Sequence, residues 1–280
     1  MARPVSPRKR ERSPHVRRGR SFHARNRAPL AGSKYVYCII RCSQPLRFGP
    51  IGIGAVPAEV YTVHYRKLAA VVSEAPQGAP EPSRENFLAH ERVNAAVMRA
   101  HTLIPMSFGT VFKTQEDVVQ LLRSTAKAFG EVLNKLHNKV EFGLQVLWDR
   151  GKAVQDAERE VEDISRLKEE IAGQDGATYF ARMEYGRLVE SALRSRADRH
   201  VLDILKQLGN ASVAWRVNKP VGDGMIMNAA FLVARDGQSA FEARVKAIAS
   251  RFEKLTFRYT GPWPAYNFVN IRLKLQRAQA

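Results

Sequence analysis

The sequence predicts an α+β protein of two domains, the second a modified ferredoxin-like (βαββαβ) domain with an enlarged helical hairpin, behind a disordered basic N-terminal tail. Three observations predict this. Residues 1–33 are Arg-, Pro- and Ser-rich, and the texture changes abruptly at Lys34. Strand-like runs precede helical ones over residues 34–140, the pattern of helices packed on one face of a sheet. From residue 141 onward the runs follow the order β-α-β-β-α-β. The expected divisions are therefore 1–33, 34–140 and 141–280.

The tail holds ten Lys/Arg and one acid, Glu11, so it carries +9 of the chain's +18 net charge. With almost no apolar residues it cannot bury enough surface to offset the entropy of ordering, and disorder is expected. Three readings of it compete: a nucleic-acid or anionic-surface tail, a plain solubilising tail, or a start codon assigned too far upstream. An arginine-rich tail binds phosphates through counterion release, without sequence choice.

Tyr35–Arg41 reads as a strand, being apolar, β-branched and aromatic. Gly49–Gly54 is a glycine-rich turn, since Val56-Pro57 and the strands Val60–Tyr65 and Leu68–Ser73 follow it. A phosphate cradle would need a helix start there. Ser83 caps a helix running to about Ala100, with Phe87, Leu88, Val93, Ala96, Val97 and Ala100 on its apolar side. Pro105 ends that region and Met106–Phe112 reads as a strand. Thr114-Gln115-Glu116-Asp117 resembles a capping box, opening a helix that carries Val118, Leu122, Phe129, Leu133 and Leu136.

Phe142–Trp148 opens the second pattern. Helical stretches over Lys152–Ala172 and about Ala177–Leu208 form a hairpin that projects as an arm, with Val154, Ala157, Val161, Ile164 and Ile171 as the seam. Strands Ser212–Val217 and Met225–Ala234, a helix over about Gln238–Phe252, and a strand Leu255–Tyr259 complete the set.

The most unusual string is Gly261-Pro262-Trp263-Pro264-Ala265-Tyr266-Asn267-Phe268-Val269. Two prolines bracket Trp263 and hold it extended, and Gly261 permits the turn leading in. So much aromatic area on a non-helical segment marks either a strap over the core or a docking surface. Trp263, Pro264, Tyr266 and Phe268 are the candidate partner-binding residues, and the two roles can coexist.

Tyr35-Val36-Tyr37, Ile104-Pro105-Met106-Ser107-Phe108-Gly109-Thr110-Val111-Phe112 and the Gly261–Phe268 string together resemble the gas vesicle accessory proteins F and L, in that family's order, from about Lys34 to the C-terminus. Ser107 stands where the family usually has arginine, and Ala265 where the second proline of a Pro-Pro pair is usual. No role of that arginine is therefore carried over. Within the motifs, Tyr35, Tyr37, Pro105, Phe108, Gly109, Gly261 and Pro262 are expected to be structural.

No recognisable nucleophile, base and orienting group come together in the sequence. His90 and His101 are eleven residues apart on one predicted helix, about 16 Å, too far to share a metal. Both read as capping or core residues. Cys38 and Cys42, four apart on a strand, span roughly 13 Å and cannot form a disulfide with each other. Glu158–Glu170 is interleaved with Arg159, Arg166 and Lys168, a solvated helix face. The strand Met227–Val233 lacks the basic residue, the glycine and two of the three aromatics of an RNA-recognition strand, and reads as core. No stretch approaches the ~20 apolar residues of a membrane span.

The expected function is that of a non-enzymatic accessory protein, with no cofactor and no metal. The resemblance implies a cytoplasmic role in gas vesicle formation, in contact with the hydrophobic shell protein and other accessory proteins. The alternative is a nucleic-acid-associated protein acting through residues 1–33.

Overall fold

A computed structural model describes residues 32–75, 80–173 and 179–269. Among these, seven α-helices pack against two sheets. Residues 1–31 of the tail expected to be disordered lie outside the described residues, whereas Ser33, its last residue, is buried and its carbonyl accepts from the Ala75 N–H.

The first sheet has six strands: β1 (Lys34–Arg41), β2 (Arg47–Pro50), β3 (Glu59–Tyr65), β4 (Leu68–Glu74), β5 (Leu103–Pro105) and β6 (Val111–Phe112). Their order is β2-β3-β4-β1-β5, with β6 also pairing β1, and every ladder is antiparallel. β1 is buried along almost its whole length because both sheet faces are covered. On one face Tyr35, Tyr37 and Val71 meet Ala89, Val93 and Val97 of α1 (Arg84–Met98). On the other, Val36, Ile39 and Val72 meet Leu122 of α2 (Gln115–Ser124) and Phe129 and Leu133 of α3 (Ala126–Leu136).

Several local expectations hold. Ser83 caps α1 by accepting from the Asn86 N–H. Thr114 and Asp117 form both bonds of the capping box. Gly52 sits in a turn so tight that a Cβ there would lie 2.7 Å from the Tyr37 hydroxyl and 2.8 Å from the Ala58 carbonyl. Other expectations need correction. Phe87 and Leu88 point outward; the buried face of α1 is Ala89, His90, Val93, Asn94 and Val97. The helix hides two polar side chains that find partners and leaves two apolar ones outside, which an apolarity pattern cannot foresee.

The strand expected over Met106–Phe112 is found only at its end, as β6 (Val111–Phe112). β5 ends at Pro105, and the Ser107 carbonyl accepts from both the N–H and the hydroxyl of Thr110, turning the chain before β6. Pro105 is tolerated because β5 lies at the sheet edge. The helix expected after Thr114 breaks at Thr125, whose hydroxyl bonds the Leu121 carbonyl.

The second sheet contains β7 (Lys139–Trp148), β8 (Ala214–Asn218), β9 (Met225–Ala234) and β10 (Leu255–Trp263) in the order β10-β7-β9-β8, all antiparallel. The C-terminal part of α6 (Tyr179–Gly209) and α7 (Gln238–Ala249) cover one face, where Val140, Phe142, Phe231 and Phe241 form the core. The expected element order is observed, with the first helical stretch divided into α4 (Arg150–Glu160) and α5 (Glu162–Gly173). The break at Val161 follows from the acids Glu162 and Asp163, which favour a new helix N-terminus. α6, about 46 Å long at 1.5 Å per residue, joins α4 and α5 around a separate cluster of Ala153, Ala157, Ile164, Val189 and Leu193. Thus Ala157 and Ile164 of the expected seam are buried, while Val154 and Val161 flank them.

Candidate functional site

The Gly261–Val269 string closes the space between the two sheets. β10 runs four residues beyond its expected end at Tyr259, bulging between Thr260 and Trp263. The bulge requires Gly261: its φ is +127°, and a Cβ would lie 2.7 Å from the Phe142 ring and 2.9 Å from the Glu141 carbonyl. The Gly261–Pro262 peptide is cis. Beyond Trp263 the chain crosses the sheet face opposite α7. There Ala265 is buried, and Phe268 and Val269 pack against the cluster that contains Ile104, Leu121 and Leu232.

Two polar side chains of the strap, Tyr266 and Asn267, fasten it. The Tyr266 hydroxyl donates to Glu91 Oε1 at 2.6 Å and accepts from Asn94 Nδ2 at 2.9 Å, both on α1. Asn267 donates twice to Glu141 of β7: backbone N–H to Oε2 at 2.8 Å, and Nδ2 to Oε1 at 2.6 Å. Its Oδ1 accepts from Asn218 Nδ2, at the end of β8, at 3.1 Å. Burial pushes the carboxyls of Glu91 and Glu141 above the usual range, and the bonds from Tyr266 and Asn267 partly offset this. One segment thereby ties α1, β7 and β8 together.

The upstream motif residues meet at a second place. Tyr35 Oη lies 2.8 Å from His90 Nδ1 and accepts from the Gly109 N–H at 3.1 Å. Tyr37 Oη lies 2.9 Å from Ser73 Oγ and accepts from the Ile53 N–H at 2.8 Å. Phe108 stacks on Phe87, ring centroids 4.0 Å apart, and meets Tyr35 and His90 edge-on. His90, expected as capping or core, is a buried core residue, and burial lowers its pKa to about 4. It is neutral at pH 7 and acts as a hydrogen-bonding spacer.

The candidate partner-binding residues thus separate. Pro264 is buried, Tyr266 is hydrogen-bonded to α1, and Phe268 packs inward. Trp263 is 41% exposed at the end of β10 and presents its ring to the surface. Other large apolar side chains at the surface escaped the sequence reading. Trp215 and Val217 stand half exposed on β8, and Tyr179, Phe180 and Met183 are exposed near the start of α6. Their period-2 and scattered placements resemble buried strand and helix positions, so the sequence carried no sign of their exposure.

The remaining candidates offer little chemistry. Cys38 is buried and Cys42 lies just past β1; both are free thiols. Among the described residues no group of three or more His, Cys, Asp or Glu is placed to hold a metal ion. A cleft of about 1180 Å³ between α4 and the start of β10 is open and lined by Asp156, which pairs with Lys254, Arg196 and Arg159. Met227, Ala229, Phe231 and Val233 are buried against the helices, and the strap and first sheet cover the opposite sheet face that an RNA-recognition module keeps open. No helix of the described residues is long and apolar enough to cross a membrane.

Motif residues that bind one another, the Gly261–Val269 strap among them tying α1 to the second sheet, define a scaffold with apolar side chains left at its surface. The comparisons with known proteins say which scaffold. Residues 33–270 match the family model described as gas vesicle synthesis protein GvpL/GvpF, and the chain belongs to that family. It is 31% identical over 248 residues to gas vesicle protein F2 of Halobacterium salinarum, covering 88% of this chain and 95% of that one. It is 32% identical over 206 residues to gas vesicle protein F of a Nostoc species, covering 71% and 83%. The crystal structure of GvpF from an Anabaena species superposes with a TM-score of 0.78 at 27% identity, over 86% of this chain and all of that one. These relatives place the chain in gas vesicle formation. Ser107, at the position where arginine is usual, is exposed in the Ser107–Thr110 turn, so a long side chain there would extend into solvent.

Proposed function

We propose that this protein is a non-enzymatic, cytoplasmic accessory factor that holds an apolar segment of the gas vesicle shell protein during assembly and meets other accessory proteins through the same half of the chain. The observation carrying this reading is Trp263. It is 41% exposed on a rigid strand whose continuation is fixed by the Tyr266 and Asn267 bonds, within a chain whose family is described by gas vesicle synthesis. A shell subunit with a gas-facing apolar surface aggregates unless held or delivered, and an immobilised aromatic at a surface is a low-entropy anchor for such a segment. The division into a 34–140 and a 141–280 domain, and a ferredoxin-like layout for the latter, belong to the same reading; the order β10-β7-β9-β8 supports them.

The test is co-expression with the shell subunit. Soluble shell protein that co-purifies with this chain, and is lost with Trp263→Ala, is the expected result. Trp263→Ala alone is the better probe, because replacing Phe268 would also open the packing beneath the strap. Undiminished co-purification with a folded Trp263→Ala variant would remove Trp263 from the mechanism. Shell protein that stays insoluble beside the folded wild type would overturn the holding role.

A further inference from the structure

The cleft of about 1180 Å³ lies where the arm joins the second sheet. Leu193 of α6 belongs to the arm cluster and Ile204 to the core of the sheet, and between them Arg196, Arg199 and His200 line the cleft. α4 and the turn of residues 250–254 that leads into β10 form the other walls. Junctions between packed bodies are common places for binding clefts.

One carboxylate organises the charge of this cleft. Asp156, only 9% exposed, accepts from Lys254 Nζ at 2.6 Å and lies 3.7 Å from Arg196 Nη1 and 3.6 Å from Arg159 Nη2. Three cations on one carboxylate leave an excess of positive charge, which Glu160, paired with Arg196, only partly offsets. The side chains of Lys254 and Arg159 are 75% and 72% exposed, so the donors that Asp156 does not use face solvent. Lys152 is exposed and lies no nearer than 3.9 Å to its partner Asp149. Arg199 is exposed and makes no ion pair among the described residues. A buried acid thus holds cations in place at the mouth of the cleft, with most of their hydrogen-bonding capacity unspent.

We propose that the cleft docks an acidic segment of a partner protein, whose carboxylates pair with Lys152, Arg159, Arg199 and Lys254. The volume exceeds the ~300–1,000 Å³ of a small-molecule pocket, which suits a stretch of chain. The lining favours a peptide over a nucleic acid. Asp149, Glu160 and Glu253 stand exposed among the cations and repel a phosphate backbone, which carries a charge about every 3.4 Å along a strand. An acidic peptide can set its carboxylates opposite the cations alone, and arginine matches a carboxylate with two parallel bonds. The site is separate from Trp263: Leu255 at the cleft and Trp263 are the two ends of β10, about 26 Å apart at ~3.3 Å per residue. Either site can therefore fail without the other.

Fluorescence anisotropy tests this on the full chain at low salt, with a labelled peptide of alternating glutamate and glycine about twelve residues long. The double variant Lys152→Gln/Arg199→Gln is expected to weaken binding about fivefold or more, the loss of two ion pairs. Arg244→Gln/Lys246→Gln removes the same charge from the exposed side of α7, outside the cleft, and is expected to change binding less than about twofold. All four side chains are exposed, so both variants keep the fold. Equal weakening by the two variants overturns the proposal, because the peptide then answers to overall charge, that of residues 1–33 included. No measurable binding to the wild type overturns it as well. A single-stranded oligonucleotide that binds more tightly than the peptide, and is weakened by the cleft variant alone, also overturns it, since the cleft then takes phosphate. Peptide binding lost with the cleft variant only, and not displaced by the oligonucleotide, supports it.

Discussion

Replacing Asn267 with alanine tests whether the strap holds the two sheets together. The side chain donates to Glu141 Oε1 at 2.6 Å and accepts from Asn218 at 3.1 Å, while the backbone N–H that reaches Oε2 is kept by alanine. A hydrogen bond to a charged acceptor contributes about 1.5–3 kcal/mol and a neutral one about 1 kcal/mol, so the expected loss is about 3 kcal/mol. Glu141 is only 5% exposed, so water cannot easily replace the lost donor. Urea unfolding followed by tryptophan fluorescence reads this loss, because Trp148, Trp215 and Trp263 all belong to the second sheet. A cycle with Glu141→Ala isolates the pair, with an expected coupling of about 2 kcal/mol. A stability within about 0.5 kcal/mol of wild type would refute the reasoning, since that is the range of an ordinary surface substitution.

Two titrations carry opposite signs. Burial raises the Glu141 pKa in the folded state, so the fold binds more protons than the unfolded chain above about pH 4; stability falls as pH rises from there through the folded pKa. Glu141→Gln removes that slope, whereas Asn267→Ala steepens it. His90 is the reverse: its pKa is lowered by burial to about 4, so stability is lost as pH falls from about 6.5 toward 4. Stability measured against pH for wild type and His90→Gln should differ in slope over that window. Tyr35→Phe leaves the Gly109 N–H and His90 Nδ1 without their shared partner and should cost about 1–3 kcal/mol in urea unfolding. Gly261→Ala meets the Phe142 ring and the Glu141 carbonyl at a positive φ and should cost about 3 kcal/mol or more, read by thermal or urea unfolding.

Features written in short-range chemistry could be read from the sequence. The capping box at Thr114–Asp117, the cap at Ser83 and the apolar run of Met225–Ala234 need only neighbours in the chain, and these fall where expected. What escaped depends on distant partners. His90 and Asn94 point into the core because Tyr35 and Tyr266, remote in sequence, supply their bonds. Phe87 can remain at the surface because Phe108 stacks on it. The reduction of the expected strand Met106–Phe112 to Val111–Phe112 turns on bonds within Ser107–Thr110 that an apolar run conceals. The strap was legible as an aromatic segment with unusual backbone demands, but not which of its residues face inward.

That division matters for how the segment can act. Tyr266 and Asn267 are anchored to α1 and to two strands of the second sheet, so the strap cannot lift without breaking the bonds at Glu91 and Glu141. A strap held this firmly cannot itself be the moving part that grips and releases a partner. Its role is to fix the position of what flanks it, Trp263 at the end of β10. If the proposed holding role is right, substitutions inside the strap should reduce stability before they change partner affinity. A strap variant that kept full stability yet lost shell protein would contradict this ordering and move the binding surface onto the strap itself.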